Sequence, residues 1–171
     1  MSSALPPKPR LIGPKVRICI VASRYNETYT EALVDHAIKE LGDLVPQGRI
    51  DLIRVPGAFE IPVVVGTVLH RNPPVCVIAL GLLIRGATSH ADLVAESVTH
   101  ALQSLAIQHL RPVINEVIVC ADEKQAYARC VGTTINRGRE AARAAAAMID
   151  VSIEIDRMMP KPTQTKDTRH A

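Results

Sequence analysis

Short runs rich in apolar, often β-branched residues at 16–22, 49–55, 75–81 and 112–120 alternate along this chain with longer segments whose apolar positions return every three or four residues. The short runs have strand length, and the near-continuous hydrophobicity of 16–22 is what a strand needs when both faces of its sheet are covered. The longer segments predict helices. Thr28 with Glu31 has the spacing of a capping box, opening a helix that reaches about Leu41. Pro62 fits the first turn of a second helix, where its missing N–H would be unpaired anyway, and Asn72, Pro73 and Pro74 stop that helix after His70. Leu93, Val94, Val98, Ala101, Leu102 and Leu105 stand at helical spacing in a third, over 91–110. A short helix at 123–131 and an alanine-rich one from Arg137 to beyond Met148 complete the pattern.

Strands alternating with helices in this way predict an α/β domain of three layers, with a four-stranded parallel sheet and right-handed crossovers that place helices on both faces. The ends differ from the middle. Residues 1–15 contain Pro6, Pro7, Pro9 and Pro14 and read as an extended arm, while 159–171 turn polar and read as a disordered tail, leaving 16–158 as the domain. Ligands of such sheets bind beyond the carboxyl ends of the strands. Four loops are predicted there, at 23–27, 56–60, 82–90 and 121–123.

Composition narrows the picture. A chain of 171 residues suits one domain with its own core, and 47% hydrophobic content with a single Phe and no Trp makes that core aliphatic. The lone Phe59 therefore invites a functional question. A net charge of +3 gives no reason to invoke nucleic acid. Cys19, Cys76, Cys120 and Cys130 are widely spaced without a C-x-x-C pair and read as free thiols of a reducing compartment. The first residues lack the apolar segment of a signal peptide and no run reaches membrane-spanning length, so a cytoplasmic protein without membrane contact is expected.

The candidate chemistry gathers in 79–90. An apolar strand gives way to Gly81, Gly86, Thr88, Ser89 and His90 just before a helix, which sets backbone N–H groups, a helix N-terminus and an imidazole at one place, suited to an anion. It is not a nucleotide P-loop, because Ala87 stands where that motif needs lysine.

Five segments taken together resemble the lumazine synthase family: Arg24 to Asn26; Val55 to Pro62; Gly81 to His90 with Asp92; Gln125 to Arg129; and Asn136 to Gly138 with its alanine-rich helix. Their order and spacing match across roughly residues 16 to 150. The resemblance implies a flavodoxin-like fold and condensation of 5-amino-6-(D-ribitylamino)uracil with L-3,4-dihydroxy-2-butanone 4-phosphate, giving 6,7-dimethyl-8-ribityllumazine, phosphate and water. This is a transferase reaction, the penultimate step of riboflavin biosynthesis, and it needs neither metal nor redox cofactor.

The resemblance also implies roles. His90 serves the proton transfers, and Arg129 holds the phosphate with the backbone of Gly86, Ala87 and Thr88. Tyr25 stacks on the uracil ring, with Leu83 and Ile84 holding it; Ala58, Phe59 and Glu60 line the ribityl site. Arg137 keeps the charge of a lysine common in the family. Asn115 replaces an aromatic that a neighbouring subunit usually contributes, and Cys120 and Ala121 replace a common Thr and Glu. Sites of the family lie between subunits of a pentamer, which in some members builds a sixty-subunit shell. The link from Arg129 to Asn136 has the length seen in shell formers, whereas the prolines of the arm oppose an added edge strand, and the pentamer is the expectation. Riboflavin synthase is the candidate partner for the product. Two other readings stand beside this one: a binding or shell-forming relative that has lost catalysis, motivated by Asn115, and a dismutating riboflavin synthase of related fold, which no residue favours.

Overall fold

A computed structural model of the protein describes residues 16–160. The arm at 1–15 and the tail beyond Pro160 lie outside the described residues. The elements follow in the order β1 (Arg17–Ser23), α1 (Glu27–Leu44), β2 (Arg49–Val55), a 3-10 turn (Ala58–Glu60), α2 (Ile61–Arg71), β3 (Cys76–Ile84), α3 (His90–His109), β4 (Val113–Cys120), α4 (Glu123–Cys130) and α5 (Arg137–Met158). The four strands form one parallel sheet in the order β2-β1-β3-β4. Chain direction across the sheet therefore reverses at β1, and the crevice between β1 and β3 is the switch point where ligands of such sheets bind.

The two-residue period of a strand divides the core. From β1, Ile18, Ile20 and Ala22 join Leu33 and Leu41 of α1 and Ala141, Ala145 and Ala146 of α5 in one cluster. Cys19 and Val21 face the other way, with Ile61 and Val65 of α2 and Val98 and Leu102 of α3. Ala141, Ala142, Ala145 and Ala146 of α5 are buried, and their small side chains bring α5 close against α1. Gly138 marks the tightest approach, since a Cβ there would lie 2.3 Å from the Leu33 carbonyl oxygen. Asn136 starts α5 from within: buried, it accepts from the Arg139 N–H at 3.1 Å and donates to the Cys130 and Gly132 carbonyls. The Glu40–Arg143 pair, at 2.7 Å and largely buried, adds a charged tie between α1 and α5.

Three local expectations are corrected. Helix α1 begins at Glu27, so Thr28 and Glu31 form no capping box; its N-cap is Asn26, in the left-handed region at φ 60°, and Glu31 instead pairs with Arg54 at 2.8 Å. Strand β3 does not break at Gly81 but continues to Ile84, because Leu82, Leu83 and Ile84 pair with Ile118, Val119 and Cys120 of β4. The loop after it is thus 85–89 rather than 82–90. Leu93 is 62% exposed and lies off the buried stripe of α3. All four cysteines are free and buried. Burial pushes Cys76 and Cys130 up to about 12 and Cys19 to about 11, which leaves them inert as nucleophiles at neutral pH. Among the described residues no helix is long and apolar enough to cross a membrane.

Candidate active site

Backbone hydrogen bonds knit the loops at the carboxyl ends of β1 and β2. The Arg24 N–H donates to the Val55 carbonyl at 2.8 Å and the Tyr25 N–H to that of Pro56 at 3.0 Å, while the Asn26 side chain donates to the Leu82 carbonyl at 2.9 Å. The loops after β1 and β2 and the carboxyl-terminal part of β3 are thereby held as one surface. Gly57 leaves room for its neighbours, since a Cβ there would meet the Tyr25 ring at 3.0 Å and Glu60 Oε2 at 2.9 Å and both side chains would have to shift. Glu60 Oε2 accepts from the Gly57 N–H at 2.8 Å; its other oxygen has no protein partner among the described residues.

Two adjoining hollows of about 360 and 330 Å³ open on this surface and share Tyr25, Ala58, Leu83 and His90. The first adds Phe59 and Glu60, the second Ile84, Gly86 and Thr88. Tyr25 and Phe59 are 68% and 62% exposed, so neither aromatic is consumed by the aliphatic core. His90 is the first residue of α3 and is exposed. Among the described residues nothing hydrogen-bonds its imidazole, and α3 has no side-chain cap that would employ it. Gly86, Ala87 and Thr88 lie exposed in the loop that leads into it. Arg85 closes that loop by forking onto Asp92, at 2.8 Å from Nη2 and 3.0 Å from Nε, and these hydrogen bonds hold the Asp92 carboxyl below its ordinary range. Asp92 thus anchors the loop to the first turn of α3.

The remaining expected residues lie elsewhere. Asn115, Arg129 and Arg137 line a third cavity, about 540 Å³, along the free edge of β4, which contains none of the residues shared by the first two hollows. Within one chain Arg129 and His90 are not brought together. Asn115 is engaged locally: it accepts from the Val117 N–H and donates to Thr99 Oγ1, both at 3.1 Å, satisfying a backbone donor of the exposed edge. Arg137 Nη1 lies 2.5 Å from Glu140.

The same cavity holds a residue without an expected role, Glu116. Burial raises its carboxyl from the ordinary range to about 7; Glu140 raises it too, against the pull of Arg137 and Arg129. Because the folded chain keeps this proton more tightly than the unfolded one, folding stability falls as pH rises from about 4.5 to about 7, by at most about 3 kcal/mol. Glu116→Gln is therefore expected to exceed the parent in stability at pH 8 and to lose that advantage near pH 4.5; denaturant titrations at the two pH values check this, and an equal difference at both refutes it.

Comparison with known proteins decides the family. The family model described as 6,7-dimethyl-8-ribityllumazine synthase matches residues 15–152. The chain belongs to the 6,7-dimethyl-8-ribityllumazine synthase family. Proteins carrying that name include one from Xanthomonas oryzae pv. oryzae (strain PXO99A), 39% identical over 139 residues that cover 81% of this chain and 90% of that protein. Another, from Pediococcus pentosaceus (strain ATCC 25745 / CCUG 21536 / LMG 10740 / 183-1w), is 36% identical over 146 residues, 85% of this chain and 94% of that protein. A third, from Xylella fastidiosa (strain M12), is 38% identical over 136 residues, 79% of this chain and 88% of that protein. For a lumazine synthase family member, the grouping of Tyr25, Phe59, Glu60 and His90 at the switch point lies where this fold binds ligands.

Proposed function

We propose that this chain condenses 5-amino-6-(D-ribitylamino)uracil with L-3,4-dihydroxy-2-butanone 4-phosphate to form 6,7-dimethyl-8-ribityllumazine. The observation that carries the reading is the His90 imidazole, unpartnered among the described residues and set in the wall common to both hollows. Imine formation, phosphate loss and ring closure each move protons, and a positioned histidine can serve all three. Tyr25 stacks on the uracil ring, with Leu83 and Ile84 beside it. Glu60 and the backbone of Ala58 and Phe59 take the ribityl hydroxyls. The cytoplasm suits four unpaired thiols. Lumazine formation by the purified protein, followed by absorbance in the presence of a chelator, tests the activity; a rate no faster than the spontaneous one would leave the binding or shell-forming reading.

Arg129 belongs to the phosphate of a site completed by a second copy. Its guanidinium fork suits a phosphate, joined by the backbone of Gly86, Ala87 and Thr88 and by the charge of Arg137. Asn115 then borders the ring of the neighbouring site. A homo-oligomer of this kind, which we take to be a pentamer, also gives a use to the apolar side chains that α3 and α5 expose, Leu93, Ile107, Met148 and Val151 among them. Arg129→Ala should raise the KM for the sugar phosphate by about 10-fold or more, since charged hydrogen bonds contribute about 1.5–3 kcal/mol each. An unchanged KM would remove Arg129 from the phosphate. If sites are shared between chains, refolding His90→Ala with Arg129→Ala subunits at equal amounts brings turnover, at sugar phosphate well below the parent KM, to about a quarter of the parent's, from sites that receive one intact half from each; turnover no higher than that of the two variants assembled separately and then combined would place the site within one chain.

A further inference from the structure

We infer that Glu116 sets the specificity of the phosphate subsite by sharing one proton with the bound phosphate, so that the dianion enters only together with a proton. This rests on the reading of Arg129 as the phosphate ligand. Glu116 lines the same cavity as Arg129 and Arg137, on the free edge strand of the sheet. Alternate residues of β4, Ile114, Ile118 and Cys120, pack toward α1 and α5, and the strand period puts Glu116 on that face. Among the described residues neither Glu116 nor Arg129 has an ion pair or hydrogen bond, while Arg137 Nη1 is held by Glu140.

A carboxylate is an odd neighbour for arginines that must grip a phosphate. Ionised, it competes for the guanidinium groups and repels the incoming dianion. Protonated, it donates an O–H to a phosphate oxygen beside them. Two acids that share a small site cannot both ionise freely, and the pair keeps one proton above the values either shows alone. The charged and titratable groups around Glu116 are Glu96 and His100 from α3, Arg129 from α4, Arg137 and Glu140 from α5, and Arg85 from the loop before α3. Burial already holds the empty carboxyl at about 7, close to the second ionisation of a phosphate monoester at about 6. Near neutrality the proton is therefore available, and an arriving dianion draws it further onto the pair.

Inorganic sulfate, a dianion across the working range, is the probe, used as a competitor of the sugar phosphate with the full-length assembled protein. Its inhibition constant for the parent should rise roughly eightfold between pH 7.5 and 8.5 beyond any change in Glu116→Gln, since only the protonated fraction binds. Titration calorimetry in two buffers of different ionisation heat should show about one more proton taken up per sulfate at pH 8 by the parent than by the variant. His100 is common to both and cancels. Independently of any variant, infrared difference spectra should show a protonated carboxyl gained when sulfate binds to the parent. Parallel slopes, equal proton uptake and no carboxyl gain, with sulfate competition lost in Arg129→Ala, would overturn the role of Glu116 and leave the phosphate site standing. Undiminished sulfate competition in Arg129→Ala would instead remove the phosphate from this cavity and the inference with it.

Discussion

Gly138→Ala is expected to destabilise the protein by about 3 kcal/mol or more, although alanine is the better helix former by about 1 kcal/mol. The added Cβ would lie 2.3 Å from the Leu33 carbonyl oxygen and 3.0 Å from the His36 Cβ. The nearest obstacle is backbone, so no rotamer change relieves it. Helices α1 and α5 would have to part, and the buried contacts of Ala141, Ala142 and Ala145 open with them. Gly42 provides the control: it lies within α1, a Cβ there meets nothing within 4 Å, and Gly42→Ala should stabilise by about 0.5–1 kcal/mol. Opposite signs for two glycine-to-alanine changes in helices follow only if helix approach governs the first. A raised melting temperature for Gly138→Ala would show that propensity outweighs packing there.

That contact also explains why part of the molecule can be read from sequence and part cannot. The strands are legible because burial on both faces writes itself as unbroken hydrophobicity, as in 16–22 and 75–81. Their ends are less so. Gly81 looks like a terminator, yet it lies inside β3 because a Cβ there would crowd Ser23, Val117 and Ile61 at 3.2–3.4 Å, and β4 continues to pair beyond it. The partner strand decides where β3 stops. Likewise the Thr28 to Glu31 spacing satisfies a local rule that a distant bond overrides, for Asn26 is tied to the Leu82 carbonyl and turns the chain into α1 earlier. Loop motifs at 23–27 and 56–60 are legible as neighbours because parallel topology gathers carboxyl ends. Glu116 is not: in sequence it is one polar position of an edge strand, and the partial burial that raises its carboxyl arises only when α4 and α5 close over β4.

His90→Ala is expected to lower kcat by about 10²–10⁴-fold while leaving the reaction measurably faster than in solution. The imidazole has no structural employment among the described residues: it caps nothing and is exposed at the start of α3. Its loss should therefore leave the melting temperature and oligomer size unchanged, which separates it from Gly138. Residual catalysis follows from magnitudes. Holding two substrates in reacting geometry can contribute about 7–11 kcal/mol, more than the roughly 3–5 kcal/mol to which a single acid–base group corresponds. In the proposed reading, substrate positioning rests with Tyr25, Phe59, Glu60 and Arg129, which the substitution leaves in place. A fall in kcat with KM values little changed identifies His90 with proton transfer. Should the variant match the parent in kcat, the proton transfers pass through solvent or another group, and the hollows around His90 would retain a binding role alone.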